Sequence, residues 1–80
     1  MSKILLSKIR DGQSVVVRSI DESKLKVKLM EMGLIEGKKL RVLFRAPFGD
    51  PIAIDVEGYV LSLRKDEASL IAVELQSSDV

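Results

Sequence analysis

Leu29-Met30-Glu31-Met32-Gly33-Leu34-Ile35-Glu36-Gly37 is the stretch on which the fold turns. A short amphipathic helix is expected to end here, to stop on Gly33 and to pass into a strand after Gly37. Gly33 sits where a helix C-terminus most often needs a left-handed residue, a conformation that only glycine takes freely. Upstream, Leu25, Leu29 and Met32 follow the i, i+4, i+7 spacing of a buried stripe, and Lys24, Lys28 and Glu31 flank it. Asp21 is placed to cap this helix, with Glu22 in its first turn where the helix dipole favours negative charge. At about 100° per residue, Val27 and Met30 fall opposite the stripe and are expected in solvent. Such residues are either ordinary surface or a partner contact, and methionine suits an adaptable contact.

Downstream the period changes to two. From Lys38 to Arg45, Leu40, Val42 and Phe44 take one face, and Lys39, Arg41, Leu43 and Arg45 the other. Ala46-Pro47-Phe48-Gly49-Asp50-Pro51 must be a loop, since proline lacks the amide that a sheet interior needs. Ile52, Ile54 and Val56 then alternate with Ala53, Asp55 and Glu57. A tight Glu57-Gly58 turn leads to Tyr59, Leu61 and Leu63 opposite Val60 and Ser62. Arg64 to Ala68 is polar and suits one helical or 3₁₀ turn. Ser69 to Leu75 closes the fold, with Ile71, Val73 and Leu75 on one face.

Before the helix, Ser14-Val15-Val16-Val17-Arg18-Ser19-Ile20 is extended, because consecutive β-branched residues resist a helix. Val16, Arg18 and Ile20 share one face, Val15 and Val17 the other. Ile4-Leu5-Leu6 with Ile9 is expected to lie across one end of the core, ahead of an Asp11-Gly12 turn. The resulting expectation is a mainly β fold. About five short antiparallel strands and one helix curl into a small barrel over residues 1–75, and residues 76–80 form a polar tail that frays.

Eighty residues make one small domain, which buries only about 60% of its unfolded surface. With 46% hydrophobic residues the chain can still close one core. It has no cysteine and no histidine, so disulfides, thiol chemistry, Cys/His zinc sites and imidazole acid–base work are excluded together. The lack of cysteine suits a cytoplasmic location. No apolar run approaches the roughly 20 residues of a membrane span, and the opening Met1-Ser2-Lys3-Ile4-Leu5-Leu6 is too short for a signal peptide. Charge is uneven: residues 1–45 carry 11 Lys/Arg against 5 Asp/Glu, and residues 46–80 carry 2 against 7. Either the halves interleave and neutralise each other, or a basic face meets an acidic partner or membrane. A net charge of +1 argues against a nucleic-acid binder.

Three stretches in order resemble one family. Leu29 to Gly37 resembles the L-x-x-[ML]-G-[LM]-x-x-G signature of the FeoA family. Ala46-Pro47-Phe48-Gly49-Asp50-Pro51-Ile52 resembles its A-P-x-G-D-P-[IL] loop. Tyr59 to Ala68 resembles its x-x-L-x-L-R-x-x-[ED]-A ending, and the spacing agrees over roughly residues 4–75. Lys28 stands where relatives often carry arginine, and Glu36 replaces the first proline of their G-x-x-P-G turn. The resemblance implies an SH3-like barrel and a cytoplasmic accessory of the FeoB ferrous iron transporter, a membrane protein with a GTP-binding domain. It implies a membrane connection through that partner alone, and it leaves weak self-association open. A similar module ends DtxR-type metal-dependent repressors. The alternative is therefore a free-standing regulatory module, expected here without a DNA-binding segment before it.

No pair of ionisable side chains has a spacing that suggests catalysis, and no cofactor is expected. Arg45 is a candidate arginine finger for a partner's GTPase site, or simply an outward, solvated strand residue. Asp50, Asp55 and Glu57 are a candidate oxygen-only patch for Fe²⁺, of a kind that binds weakly, and no metal site is expected from them. Phe48, between two prolines, either folds back on the barrel or stands out as a contact. The expected partner-binding residues are Val27, Met30, Arg45, Pro47 and Phe48. With only Phe44, Phe48 and Tyr59 as aromatics, a polyproline groove or a base-stacking platform is thinly supplied.

Overall fold

A computed structural model describes residues 4–76. Its strands are β1 (Ile4–Leu5), β2 (Ser14–Ile20), β3 (Lys39–Arg45), β4 (Ile52–Val56), β5 (Tyr59–Leu63) and β6 (Ile71–Leu75). Helices α1 (Lys26–Glu31) and α2 (Lys65–Ala68) interrupt them, and Leu6–Lys8 makes one 3₁₀ turn. The strands form one sheet in the order β1-β6-β2-β3-β4-β5, every pair antiparallel. The mainly β architecture is as the pattern implies, with one strand and one helix more. The added strand is Ile4–Leu5, which pairs with Val73 and Ala72. Two residues are too few to show a period, so only tertiary pairing reveals it. The first three residues and, save Gln76, the tail expected to fray lie outside the described residues.

Two bulges decide which side chains reach the core. In β2 the register against β6 shifts between Val17 and Ser19. An inserted residue reverses the alternation beyond it. Val15, Val17 and Ile20 therefore all point inward, although even alternation separates Ile20 from the other two. In β3 the register against β4 shifts between Val42 and Phe44. Leu40 and Val42 stay buried, but Phe44 is thrown outward and Arg45 comes to lie opposite the buried Ile52. The placement of Phe44 with Leu40 and Val42, and of Arg45 on the outer face, is thus corrected by one inserted residue.

α1 lies on this core. Leu29 is fully buried, with Leu25 and Met32 packed beside it, so the expected stripe is the stripe observed. Burying one leucine contributes about 2–3 kcal/mol, which is what holds so short a helix in place. Its start differs from expectation: the helix begins after Leu25 with no side-chain cap, and the Ser23 hydroxyl accepts the Leu25 amide at 3.1 Å just ahead of it. The Asp21 amide instead donates to the Leu70 carbonyl at the end of the β2–β6 ladder, fixing the residue outside the helix. At the other end the Leu34 amide donates to the Leu29 carbonyl and the Gly33 amide to that of Met30. That is a Schellman closure with Gly33 at φ +99°. A methyl group at Gly33 would lie 2.5 Å from the Tyr59 hydroxyl, which donates to the Met32 carbonyl. The helix end is thus fastened to β5 as well as to its own chain.

The halves of the chain interleave. Arg18 with Glu74, Lys28 with Glu67 and Lys38 with Glu57 all join the basic first half to the acidic second. Each pair has at least one side chain in solvent, which screens it, so each contributes little stability individually.

Candidate protein-contact surface

Val27 and Met30 do stand on the solvent side of α1, at 65% and 44% exposure. The turn after Gly33 brings Ile35, also half exposed, into one cleft with Met30. A shallow, mainly apolar cleft of about 250 Å³ runs between Met30, Leu34 and Ile35 on one side and Arg18 to Ile20 of β2 on the other. Helical periodicity could not show Ile35, which lies past the helix end. Its position is set by the hydrogen bonds from Gly37 to the Val17 carbonyl and from Val17 to that of Lys38.

The loop from Ala46 to Pro51 is held at its base. Ala46 donates to the Pro51 carbonyl and Gly49 to that of Ala46. Asp50 accepts the Lys65 amide at 2.9 Å, and Glu67 accepts that of Arg64 at 2.8 Å, so two carboxylates cap α2. With both sides of the loop fixed, Phe48 stands out at its tip, 99% exposed, next to an exposed Pro47. Phe44, turned out by the β3 bulge, is a further exposed aromatic that the alternation concealed.

Arg45 behaves differently from the other four expected contacts. Its guanidinium donates to Asp11 at 2.6 Å and to the carbonyls of Ser7 and Ile9. It ties the N-terminal turn to β3 and is not an outward solvated residue. Nor do the three acids converge: Asp50 caps α2, Asp55 accepts the Gly58 amide in the β4–β5 turn, and Glu57 pairs with Lys38. Among the described residues, no group of three or more acidic side chains could hold a metal ion. A second, more polar cleft of about 480 Å³ lies between Lys28 of α1 and Met32 just past it on one side and Asp50, Pro51, Ser62, Arg64 and Glu67 on the other. No helix among the described residues is long and apolar enough to cross a membrane.

Comparison with known proteins places this arrangement. Residues 4–75 match the model of the FeoA domain family. The chain belongs to the FeoA family. It is 37% identical over 75 residues to an Fe(2+) transport protein A/Fe(2+) transporter FeoB fusion protein of Porphyromonas gingivalis. That alignment covers 92% of this chain but only 9% of the fusion protein's length. The NMR structure of an FeoA-like protein from Clostridium acetobutylicum superposes with a TM-score of 0.91 at 40% identity, over 100% of this chain and 94% of that one. Stenotrophomonas maltophilia FeoA, crystallised with zinc and described as an SH3 domain protein, gives 0.79 at 26% identity over 89% of each chain. A manganese-dependent transcriptional repressor gives 0.87 at 24% identity, over 95% of this chain and 38% of that one, a likeness of fold alone. In this FeoA chain the family's glycine signature forms the Schellman closure, and the aspartate of its A-P-F-G-D-P loop is the α2 cap.

Proposed function

We propose that this chain is a cytoplasmic, non-enzymatic accessory of ferrous iron uptake that acts by contact with the cytosolic, G-domain region of an FeoB-type transporter. The observation that carries the reading is the relative in which an FeoA module and an FeoB transporter are one polypeptide. A covalent link makes their encounter intramolecular, at effective concentrations that reach about millimolar for short linkers, so surfaces of modest affinity suffice. Val27 and Met30, with Ile35 in the same cleft as Met30, supply one apolar contact, and Pro47 and Phe48 supply another. Access to the membrane comes through the partner, and neither nucleic acid nor a cofactor has a role.

Replacing both Val27 and Met30 by lysine tests the surface. Both are exposed, so stability should change by less than about 1 kcal/mol, while co-purification of the transporter from membranes should fall about tenfold or more. Undiminished recovery from a folded variant overturns this surface. The tie of Arg45 to Asp11, Ser7 and Ile9 weighs against an arginine finger. GTP turnover by the G-domain is expected to be unaccelerated by saturating protein. The fold likeness to a metal-dependent repressor favours one second reading, a free-standing regulatory module. Recovery of a repressor or promoter DNA in place of the transporter would select it.

A further inference from the structure

The chain holds three methionines and no cysteine, histidine or tryptophan. Thioethers are therefore the side chains that a two-electron oxidant such as a peroxide meets first. Met1 lies outside the described residues. Met30 and Met32 stand close together at the end of α1, yet their surroundings are opposite. Met32 packs against the core, and its carbonyl accepts the Tyr59 hydroxyl. Met30 is half exposed and is not among the side chains packed on the core. Its backbone carbonyl serves the helix end by accepting the Gly33 amide, while its side chain lines the apolar cleft with Ile20, Leu34 and Ile35.

Oxidation at Met30 thus alters the surface without entering the core. The thioether sulfur attacks one oxygen of hydrogen peroxide, and an S–O bond forms as the O–O bond breaks. The proton of the transferred oxygen passes to the departing hydroxide, which leaves as water. Sulfur gives up two electrons and the peroxide takes them. An apolar, adaptable side chain becomes a polar, chiral one. An apolar partner surface that strips water from this sulfoxide, and offers it no donor, binds more weakly. Methionine sulfoxide reductases reverse the change. The chemistry suits a chain concerned with ferrous iron. Fe²⁺ reduces peroxide by one electron and releases hydroxyl radical, so uptake that slackens while peroxide is abundant limits that reaction.

We propose that Met30 is a reversible oxidation site, at which a hydroperoxide forms the sulfoxide in the apolar cleft between α1 and β2 and so weakens the contact with the transporter. This deepens the accessory reading and rests on it for the identity of the partner.

The test treats the whole chain with hydrogen peroxide, removes the excess with catalase and follows oxygen uptake residue by residue by mass spectrometry. Met30 should be oxidised about fivefold or more faster than Met32, as its exposure requires. While Met32 is still intact, the urea midpoint should not move. Protein at that stage should recover about fivefold less transporter from membranes than the untreated chain, the scale of one weakened contact residue. The two methionine sulfoxide reductases, one for each epimer, should restore recovery. Met30→Leu keeps Met1 and Met32, and peroxide should leave that variant's own recovery where it stood. Equal oxidation of Met30 and Met32, undiminished recovery by the oxidised chain, or the same loss in Met30→Leu each overturns the proposal. So does a fall in the urea midpoint, which would make the effect one of stability. The untreated chain separates the two readings. If it recovers no transporter, the accessory reading falls and this inference with it, whereas recovery insensitive to Met30 oxidation sinks the inference alone.

Discussion

β1 and β5 stand at opposite ends of the same sheet, and the chain finishes them in opposite ways. β1 is two residues long and runs directly into the 3₁₀ turn, which sinks Leu6 and Ile9 into the core. Ser7 is buried too, and its hydroxyl is hydrogen-bonded to that of Ser69 beside α2 at 3.1 Å, so it is satisfied. Arg45 then clasps the turn from β3. β5 is five residues long, carries half-exposed Tyr59 and exposed Val60, and receives no such cover. One edge is closed by burying apolar chain and satisfying its polar groups. The other is left with its backbone groups facing solvent, which stability alone does not call for. The contrast separates side chains that keep the fold together from those available for recognition.

Leu6→Ala should break the closed edge most severely. Leu6 is fully buried, and removing it leaves a cavity between the turn and the sheet, with a cost of about 2–5 kcal/mol. A domain of this size has a total stability on the order of 5–10 kcal/mol, so urea unfolding will show a large loss. Hydrogen exchange in the native state should rise first in β1 and β6, and uniform change across the sheet would count against a local closure.

Gly33→Ala acts on the α1 side of the open edge. The left-handed conformation costs an L-residue about 1–2 kcal/mol, and the added methyl displaces the Tyr59 hydroxyl from the Met32 carbonyl, for about 2 kcal/mol in all. In a Tyr59→Phe background the same substitution should cost less, because only the backbone penalty remains. Identical costs in the two backgrounds would show that Tyr59 does not fasten the helix end.

Arg45→Ala has the smallest expected effect, about 1–2 kcal/mol from charged hydrogen bonds to Ser7 and Ile9 and the pair with Asp11. The Arg45 side chain is 23% exposed, so solvent screens part of this interaction. The loss should appear as faster exchange in the 3₁₀ turn without change at β5. Full stability with reduced transporter recovery would instead make Arg45 a contact residue.

Periodicity made some of this legible and could not reach the rest. The α1 stripe shows in the sequence because Leu25, Leu29 and Met32 keep helical spacing, and Val27 and Met30 follow by exclusion. The strands show too, but not their two bulges. Nothing in Val17-Arg18-Ser19 or Val42-Leu43-Phe44 marks an inserted residue, yet one insertion exchanges inside for outside. The tie from Arg45 to Ser7 and Ile9 spans more than thirty residues and leaves no local trace. Phe48 could be placed at a loop tip but not pointed, since its direction depends on how Asp50 is held by α2. The uncharged run of β5 is plain to read, whereas its place at an edge is a fact of topology.

Ile4 lies across from Val73 in the ladder between the first and last strands. The two ends of the described chain thus depart from neighbouring positions, at the far end of the pairing order from β5. A tether leaving from either end of the described residues would therefore start from one of two paired strands, both away from β5. Such a module can be joined to a larger protein, front or back, without being turned around.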